Sequence, residues 1–389
     1  MVEIDNFISQ WKIPRHFLLA DSDNELFVDI KNKLSLLAFA KTIKNRASII
    51  LKEFLFDTSG VITGEKGQLF NNQLIASLVK TEKVYGQPAN KTGKFVLSNV
   101  KRKFEPGSEW LYYKIYCGSK SAEKSLAELI GPLTVNWLKK NLIQKWFFIR
   151  YSDPSFHLRV RFHLTDRRDA GMLMNDLAEK IAEGQLSEFI WKTQVDTYFR
   201  ELERYSPGCI EMSEELFYQD SLNKLKFMEL TEGDERENIR WLWGLAMTDA
   251  LLNAFEFTVD EKQSLLRKIK DTFSKEFNAD KNLLLQVNKK YNSNKEAIKC
   301  IITGHSGTTN AINDLIIAEA SRYKKEIMHI VTKIKCTLSN NRSKTLSEAV
   351  GSYTHMSLNR LFPAQARLQE YILYEFMNRY YLSVIKQQT

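Results

Sequence analysis

The segment FHLRVRFHL, residues 156–164, constrains the fold of this 389-residue chain more than any other stretch. Its side chains alternate between apolar and basic types, and successive side chains of a β-strand point to opposite faces. One face of the strand would therefore carry Leu158, Val160, Phe162 and Leu164. The opposite face would carry His157, Arg159, Arg161 and His163. The segment predicts a strand that packs its apolar face on a core and presents a basic face on the other side.

The basic face of this strand is a candidate anion-binding surface. Neighbouring like charges raise the free energy of the strand, so the arrangement makes sense if the face binds an anion. Arginine suits that task because its planar guanidinium grips a carboxylate with two hydrogen bonds. The alternative is a solvent-facing strand whose basic groups pair with carboxylates of the same protein. The spacing leaves both interpretations open.

The segments around this strand predict an α+β fold, an antiparallel sheet with a mostly helical C-terminal half. Aromatic and β-branched stretches at residues 110–117, 146–152 and 191–200 are typical of strands. An Asp153-Pro154 turn joins the strand over residues 146–152 to the one over residues 157–164. Residues 120–141 form an amphipathic pattern in spite of Gly131-Pro132. From Ser213 onward the pattern is helical, with long helices predicted over residues 238–276, 313–335 and 364–386. Strands followed by helices indicate the α+β class.

The first hundred residues have a different pattern. Two apolar runs between residues 13 and 30 flank Ser22, Asp23 and Asn24, which indicates a hairpin. Residues 31–56 are rich in Lys, Leu, Ala and Ile and predict a mostly helical stretch. The segment KTGKFVLSNVKRKFEPGSE, residues 91–109, is basic and rich in turn formers. We therefore predict a domain boundary near Glu105.

The formal net charge of +9 favours anionic partners, such as nucleic acid, an acidic peptide or a substrate with carboxylates. The alternative is a lysine-rich surface that serves solubility. The chain has no RNA-recognition or helix-turn-helix signature. It also has no apolar run long enough for a membrane span and no secretory signal at its start. These patterns predict a cytoplasmic protein.

Metal, nucleotide and serine-nucleophile sites are not predicted. The four cysteines are scattered without CxxC spacing, and the six histidines show no HExxH spacing. The stretch GVITGEKGQ, residues 60–68, lacks the spacing of a phosphate-binding loop. The stretch GHSGTT, residues 304–309, lacks the spacing of a nucleophile elbow. We therefore predict no metal and no cofactor.

Two further segments carry candidate residues. In TYFRELERYSPG, residues 197–208, Glu201 and Arg204 meet if the segment forms a helical turn; the alternative is a surface ion-pair cluster. In SYTHMSLNRLFP, residues 352–363, Ser352 or Thr354 could cap a short helix that Pro363 ends. His355 would then share a face with Asn359, and Asn359 or a neighbouring residue could orient the imidazole for proton transfer. The alternative is a structural histidine.

Four separated motifs occur together in one order. They are GSEWLYYKIYCG (107–118), WFFIRYSDPSFHLRVRF (146–162), ERYSPG (203–208) with EELFYQDS (214–221), and HMSLNRLF (355–362). Together they resemble the C-terminal glutamate-elimination domain of lantibiotic dehydratases, also called the thiopeptide-type bacteriocin biosynthesis domain. The resemblance covers residues 105–389. Residues 1–104, with WKIPRHFLLADSDNELFVDI, resemble only the closing stretch of the preceding glutamylation domain.

The resemblance implies a bacterial lyase that acts on a ribosomal precursor peptide. Its substrate would be a Ser or Thr esterified with glutamate, and removal of the α-proton would expel glutamate to leave dehydroalanine or dehydrobutyrine. The positions that match the family's functional residues are Arg159, Arg161, Glu201, Arg204 and His355. The arginines would bind the glutamyl group or the enolate, Glu201 would hold the glutamyl ammonium or fix the arginines, and His355 would transfer the proton.

The partners follow from the same resemblance. They are the glutamylated precursor peptide and a glutamylating protein or N-terminal domain, so that tRNA is involved only indirectly and elimination proceeds without glutamylation by this chain. The oligomeric state stays open between monomer and homodimer. Two alternatives are a pyridine-forming cycloaddition enzyme of thiopeptide biosynthesis and a non-catalytic peptide-docking module. The full set of five polar residues favours elimination over both.

Overall fold

The computed structural model describes residues 2–21, 24–44, 46, 48–54, 62–63, 69–70, 100–183, 185–233, 236–277, 279, 281–305, 310–339 and 345–388. The chain divides into two compact units, Met1–Lys91 and Thr92–Thr389. Ser22 and Asp23 of the predicted hairpin turn lie outside the described residues, as does most of GVITGEKGQ and GHSGTT.

The first unit contains a small antiparallel sheet. Its elements are α1 (Val2–Gln10), β1 (His16–Asp21), β2 (Asn24–Asp29), α2 (Lys33–Ile43), β3 (Ile50–Glu53), β4 (Ile62–Thr63) and β5 (Leu69–Phe70). Strands β1 and β2 pair as the predicted hairpin, and β3 pairs with the other edge of β1. The core of the unit consists of Phe17, Leu19, Val28 and Phe39.

The helix predicted over residues 31–56 is wrong in its second half. Helix α2 begins after Asn32, whose side chain accepts hydrogen bonds from two backbone N–H groups, and ends at Ile43. Ile50 and Leu51 instead form the strand that pairs with β1. The free edge of the hairpin supplies hydrogen-bond partners there, which outweighs the local helix preference of Lys and Leu.

The second unit is built on a four-stranded antiparallel sheet with the strand order β10-β7-β9-β8. The strands are β7 (Trp110–Cys117), β8 (Ile143–Ser152), β9 (Phe156–Leu164) and β10 (Ile190–Val195). A separate pair joins β6 (Lys103–Phe104) to β11 (Tyr198–Phe199). The predicted strands and the antiparallel arrangement are confirmed, although residues 191–200 form two short strands in different sheets. The predicted division into residues 1–104 and 105–389 stays a prediction.

Strand β9 has the two faces that its alternation predicts. Leu158, Val160 and Phe162 are fully buried. Trp137 on the neighbouring helix lies edge-on against Phe162, with ring centroids 5.2 Å apart. A core of aromatic side chains thus covers the apolar face, and the basic side chains are left on the opposite face of the sheet.

Helices make up the rest of the second unit. They are α3 (Ser121–Lys124), a π-helix (Ser125–Ile130), α4 (Gly131–Lys139), a 3-10 turn (Arg167–Asp169), α5 (Ala170–Ala182), α6 (Leu186–Phe189), α7 (Leu202–Tyr205), α8 (Ile210–Leu230), α9 (Arg236–Ala254), α10 (Val259–Glu276), α11 (Lys281–Ser293), α12 (Lys295–Thr303), α13 (Ala311–Ser339), α14 (Leu346–Leu361) and α15 (Ala366–Gln388). The predicted α+β class with a helical C-terminal half is confirmed. In the described part of the chain, no helix is long and apolar enough to cross a membrane.

The prediction of one continuous helix over residues 238–276 is wrong, because the structure has two helices there. Helix α9 ends at Ala254, and Glu256 takes a positive φ of 59°. Thr258 then caps α10 and forms a capping box with Glu261. The continuous region predicted across Gly131-Pro132 is confirmed, because α3, the π-helix and α4 follow one another without a break.

Candidate functional site

The basic face of the central sheet carries aromatic side chains beside its cations. Arg161 lies opposite Tyr112 of β7 and Phe147 of β8, and Arg159 lies opposite Lys114 and Ile149. Lys114 forms an ion pair with Asp196 at the sheet edge. The two arginines therefore project from β9, between β7 and β8. These two strands contribute aromatic rings and Lys114, whose charge is paired with Asp196.

Arg161 is a buried cation without a carboxylate partner in the described part of the chain. The residue is 8% exposed, and its Nε atom is buried without a hydrogen-bond partner among the described residues. Its guanidinium carbon lies 4.5 Å from the ring centre of Tyr112 and 4.7 Å from that of Tyr198. Burial raises the pKa of Tyr112, of Tyr198 and, to about 12, of Tyr205, so these phenols stay neutral. The aromatic contacts stabilise the cation, but they do not neutralise it.

A cavity of about 40 Å³ borders this guanidinium. Its lining includes Arg161, Glu201, Tyr205, Met356 and Arg360. Arg360 is 1% exposed, and its Nε donates to the Phe148 carbonyl at 2.7 Å and its Nη1 to the Asp220 carboxylate at 3.2 Å. Its Nη2 is buried without a partner among the described residues. The volume accommodates one carboxylate group or about two water molecules. Two buried guanidinium groups with unused donors thus border a space of the size of a small anion.

Arg159 lies on the same strand in a more open position. Its guanidinium carbon is 3.4 Å from the ring centre of Tyr151, and its Nε donates to Nε2 of His157 at 3.2 Å. The other nitrogen of His157 lies 2.9 Å from the carbonyl of Ser155, so that nitrogen carries the proton. Burial lowers the pKa of His157, and the proximity of Arg159 lowers it further. His157 is therefore a neutral acceptor that fixes Arg159, and it does not add a charge to the face.

Glu201 and Arg204 form the predicted pair at the turn α7. The Arg204 Nη1 atom lies 3.3 Å from the Glu201 carboxylate, and the Glu201 side chain is 60% exposed. Glu201 also lines the small cavity beside Arg161, whereas Arg204 lines a wider cleft next to it. The pair therefore lies between the two spaces, and its carboxylate is accessible to a ligand.

His355 lies inside a long helix, not in the short helix that its segment predicts. Helix α14 begins after Thr345, which caps it together with Glu348. Ser352 and Thr354 are interior residues of this helix, so the predicted cap is wrong. The predicted end of the helix before Pro363 is confirmed.

Asn359 does not orient His355. Its side chain bonds the backbone N–H and carbonyl of Arg150, each at 3.0 Å, and so joins α14 to the strand β8. The partner of His355 is Glu370 on α15, whose two oxygens lie 2.9 and 3.0 Å from the imidazole Nδ1. Glu370 is 2% exposed and also accepts a hydrogen bond from Tyr374 at 2.9 Å. Sequence reasoning missed Glu370 because the contact depends on how two helices pack.

Two wide clefts meet at His355. One, of about 720 Å³, includes Arg204, His355, Arg367 and Glu370 in its lining, and the other, of about 830 Å³, also includes His355, Arg367 and Glu370. Met356, the next residue of α14, lines the small cavity instead. The structure thus brings Arg161 and Glu201 together at the small cavity, and Arg204 and His355 together at the adjacent cleft. Arg159 lines neither of these spaces.

The chemistry that these groups allow is acid–base and electrostatic. Among the described residues, no three His, Cys, Asp or Glu side chains are grouped so that they could hold a metal ion. The site offers a histidine with a buried carboxylate behind it, buried guanidinium groups with unused donors, and an accessible carboxylate. Such a set can remove a proton and stabilise negative charge as it develops on a carboxylate or an enolate.

Comparison with known families and proteins gives one consistent result. A family model described as the C-terminal part of lantibiotic biosynthesis dehydratases matches residues 110–381. The chain is 23% identical over 379 residues to the subtilin biosynthesis protein SpaB of Bacillus subtilis. It is 25% identical over 223 residues to the nisin biosynthesis protein NisB of Lactococcus lactis subsp. lactis. The matched regions are 94% and 56% of this chain but 35% and 22% of those proteins, so the chain spans at most about a third of their length.

Solved structures share the fold at low sequence identity. The tRNA-dependent lantibiotic dehydratase MibB from Microbispora sp. 107891 has a TM-score of 0.57 at 16% identity; the match covers 100% of this chain and 38% of MibB. The pyridine synthase TbtD from thiomuracin biosynthesis has a TM-score of 0.51 at 11% identity; the match covers 71% of this chain and 99% of TbtD. These identities establish a common fold and no more.

Proposed function

The chain belongs to the family of lantibiotic biosynthesis dehydratase C-terminal domains, and from that premise we propose that it is a lyase that eliminates glutamate from a glutamylated precursor peptide. The substrate is a Ser or Thr residue whose hydroxyl is esterified with glutamate. The products are free glutamate and a peptide with dehydroalanine or dehydrobutyrine, on the way to a lanthipeptide or a thiopeptide. The peptide is glutamylated by another protein or domain, and tRNA enters only at that earlier step.

The observation that carries this proposal is the small cavity between Arg161 and Arg360. Both guanidinium groups are buried, and each has a nitrogen without a partner among the described residues. Arg360 already has a counter-charge, because its Nη1 lies 3.2 Å from the Asp220 carboxylate. Arg161 has no carboxylate partner in the described part of the chain. Burying a cation without a counter-charge costs several kcal/mol, so a ligand is expected to supply the negative charge beside Arg161. Glutamate carries a carboxylate that matches this cavity in charge and size.

The accessible groups around the cavity suit the other parts of the substrate. Glu201 faces the same cavity and can bind the ammonium of the glutamyl group, while Arg204 holds Glu201 at 3.3 Å. Arg159, stacked on Tyr151, is available for the charge that develops on the peptide carbonyl. These roles account for Arg159, Arg161, Glu201 and Arg204, and His355 is left for proton transfer.

The proposed reaction is a β-elimination with His355 as the base. The imidazole takes the Cα proton, the electron pair forms a double bond between Cα and Cβ, and the bond between Cβ and the ester oxygen breaks. Glutamate leaves as a carboxylate, so charge and atoms balance without an external cofactor. The proton on His355 can pass to solvent through the wide cleft. Positive charge near the developing enolate lowers the barrier to the first step.

The test is mass spectrometry of a pre-glutamylated peptide incubated with the purified chain. We expect loss of glutamate and formation of the dehydrated residue without added ATP, metal or tRNA. An unmodified peptide serves as the control and should stay unchanged, also when glutamyl-tRNA is added. Persistence of the glutamylated peptide, with the chain folded by circular dichroism, would contradict the proposal.

Pyridine formation from two dehydroalanines is the second candidate, because the pyridine synthase TbtD shares the fold. A cycloaddition does not require residues that bind a glutamyl group, so the presence of the Glu201 and Arg204 pair favours elimination. Incubation with a peptide that already carries two dehydroalanines distinguishes the candidates. An enzyme of glutamate elimination should leave that peptide unchanged, and a peptide-docking module should leave both peptides unchanged.

A further inference from the structure

Glu370 is a buried carboxylate in hydrogen-bond contact with the imidazole of His355. The residue is 2% exposed, and its oxygens lie 2.9 and 3.0 Å from the imidazole Nδ1. Its other close contact is the Tyr374 hydroxyl at 2.9 Å, and the Arg367 guanidinium is more distant at 3.9 Å. Arg367 is held mainly by Glu276, with two side-chain hydrogen bonds. Glu370 is therefore buried chiefly against His355 and a neutral phenol.

Helix packing explains why this carboxylate is fixed. Burial raises the pKa of Tyr374 well above its usual range, so its hydroxyl stays protonated and can donate to Glu370. Helix α15 carries Glu370 and Tyr374 one turn apart, and Thr354 beside His355 is within 3.2 Å of the same hydroxyl. The carboxylate thus has few alternative orientations. It costs free energy to bury, and this cost is reduced when it accepts hydrogen bonds from both neighbours.

We propose that Glu370 is a positioning residue that holds the His355 imidazole with its proton on Nδ1. The Nε2 nitrogen, which has no partner among the described residues, then keeps its lone pair for the substrate. A carboxylate behind a histidine fixes the tautomer and stabilises the imidazolium that forms when the base takes up a proton. The inference rests on the proposed elimination, in which His355 removes the Cα proton.

The kinetic test compares two substitutions of Glu370. Glu370→Leu removes the acceptor, and we expect kcat for elimination to fall about 100-fold, with KM changed by less than about threefold. Glu370→Gln keeps an oxygen that can accept from Nδ1–H, and the Tyr374 hydroxyl can turn to Thr354. We therefore expect Gln to recover part of kcat. A role limited to binding would raise KM instead.

Glu375 provides the matched control on the same helix. It is 4% exposed and bonds Arg379 at 2.8 Å, and it lines neither cleft at His355. Glu375→Leu therefore also removes a buried carboxylate from α15. We expect it to lower the thermal unfolding midpoint at least as much as Glu370→Leu but to leave kcat within about threefold of the original. Equal loss of kcat in both variants would overturn the proposal.

A spectroscopic readout separates this inference from the proposed function. A histidine Nδ1–H bonded to a buried carboxylate should give a strongly downfield proton resonance, because the hydrogen bond is charge-assisted. We expect the resonance in the unmodified chain and its loss in His355→Ala and in Glu370→Leu. If the chain does not eliminate glutamate but shows this resonance, the proposed function fails while the contact stands. Absence of the resonance, or full kcat in Glu370→Leu with reduced kcat in His355→Ala, would overturn the positioning role.

Discussion

Two buried arginines of the second unit, Arg161 and Arg200, have opposite surroundings. Arg200 is 6% exposed, and its Nε and Nη2 donate to the Glu214 carboxylate at 2.7 and 2.8 Å. Arg161 is 8% exposed and has aromatic rings around it but no carboxylate partner in the described part of the chain. Burial by itself would lower the pKa of Arg200, but the hydrogen bonds to Glu214 raise it overall. The two arginines are thus buried to a similar degree, but Arg200 has a carboxylate partner and Arg161 has none in the described part of the chain.

The difference separates structural cations from candidate ligand-binding cations. A buried ion pair supplies its own counter-charge, so removing one partner damages the fold. A buried cation without a partner is a cost to the fold that a bound anion can offset. Arg200 should therefore act on stability, and Arg161 should act on the reaction. Substitution of each arginine, with stability and rate measured side by side, tests this division.

The largest effect is expected from Arg200→Met. The substitution leaves the Glu214 carboxylate without its partner, and the Glu214 side chain is fully buried. Among the described residues, only the Tyr198 hydroxyl then remains to donate to it. We expect the free energy of unfolding to fall by about 3–5 kcal/mol. Urea denaturation measures the change. The double variant Arg200→Met with Glu214→Leu should recover most of the loss, and a single variant as stable as the original chain would contradict the structural assignment.

Arg161→Met should have the opposite result. Because the guanidinium has no ion pair to lose, we expect the free energy of unfolding to stay within about 1 kcal/mol of the original value. The rate of glutamate elimination should fall by about 100-fold to 1,000-fold, as for loss of one charge-stabilising donor. Arg161→Lys should recover little, because an ammonium cannot reproduce the forked contact. Wild-type turnover in Arg161→Met would remove this residue from the site.

Arg159→Ala tests the more open position on the same strand. Its Nε bonds His157 and its guanidinium stacks on Tyr151, while its two Nη groups have no hydrogen-bond partner in the described part of the chain. We expect the rate to fall about 100-fold with little change in the unfolding midpoint. Single-turnover kinetics with the glutamylated peptide measure the rate. Full activity in this variant would mean that the basic face contributes through Arg161 alone.

The alternation of β9 was sufficient to predict these two arginines on one face. Period-2 patterning is local, so it survives whatever packs on the strand. It could not predict that Tyr112 and Phe147 would flank Arg161, because those contacts depend on strand order and register. Sequence patterns also could not show that Arg200 has a carboxylate partner and Arg161 has none among the described residues, since the partner of Arg200, Glu214, lies on a different element.

The helical part of the site could be predicted less completely from the sequence. The HMSLNRLF motif identified His355, but local capping rules suggested a short helix that the structure replaces with the longer α14. Thr345 has the same capping chemistry as Ser352 and Thr354, and tertiary packing decides which of the three residues is used. Glu370 lies in a helix, and a glutamate in a helix is usually exposed. Its burial depends on the contact between α14 and α15, which a local sequence pattern does not encode.

The smallest effect is expected from His163, which lies at the end of the same basic face. Burial lowers its pKa to about 4, and the nearby cations Lys145 and Arg200 contribute. The ordinary histidine pKa is about 6.5, so between these values the unfolded chain binds a proton that the folded chain does not. The free energy of unfolding should therefore decrease as the pH falls from about 6.5 to about 4, by about 1–3 kcal/mol from this group. His163→Gln should flatten that part of the stability profile, measured by urea denaturation at several pH values. The control is His305→Gln, which replaces an exposed histidine outside the sheet and should leave the profile unchanged. An unaltered profile in His163→Gln would show that His163 takes up its proton as readily in the folded chain as in the unfolded chain, which would contradict the effect of burial.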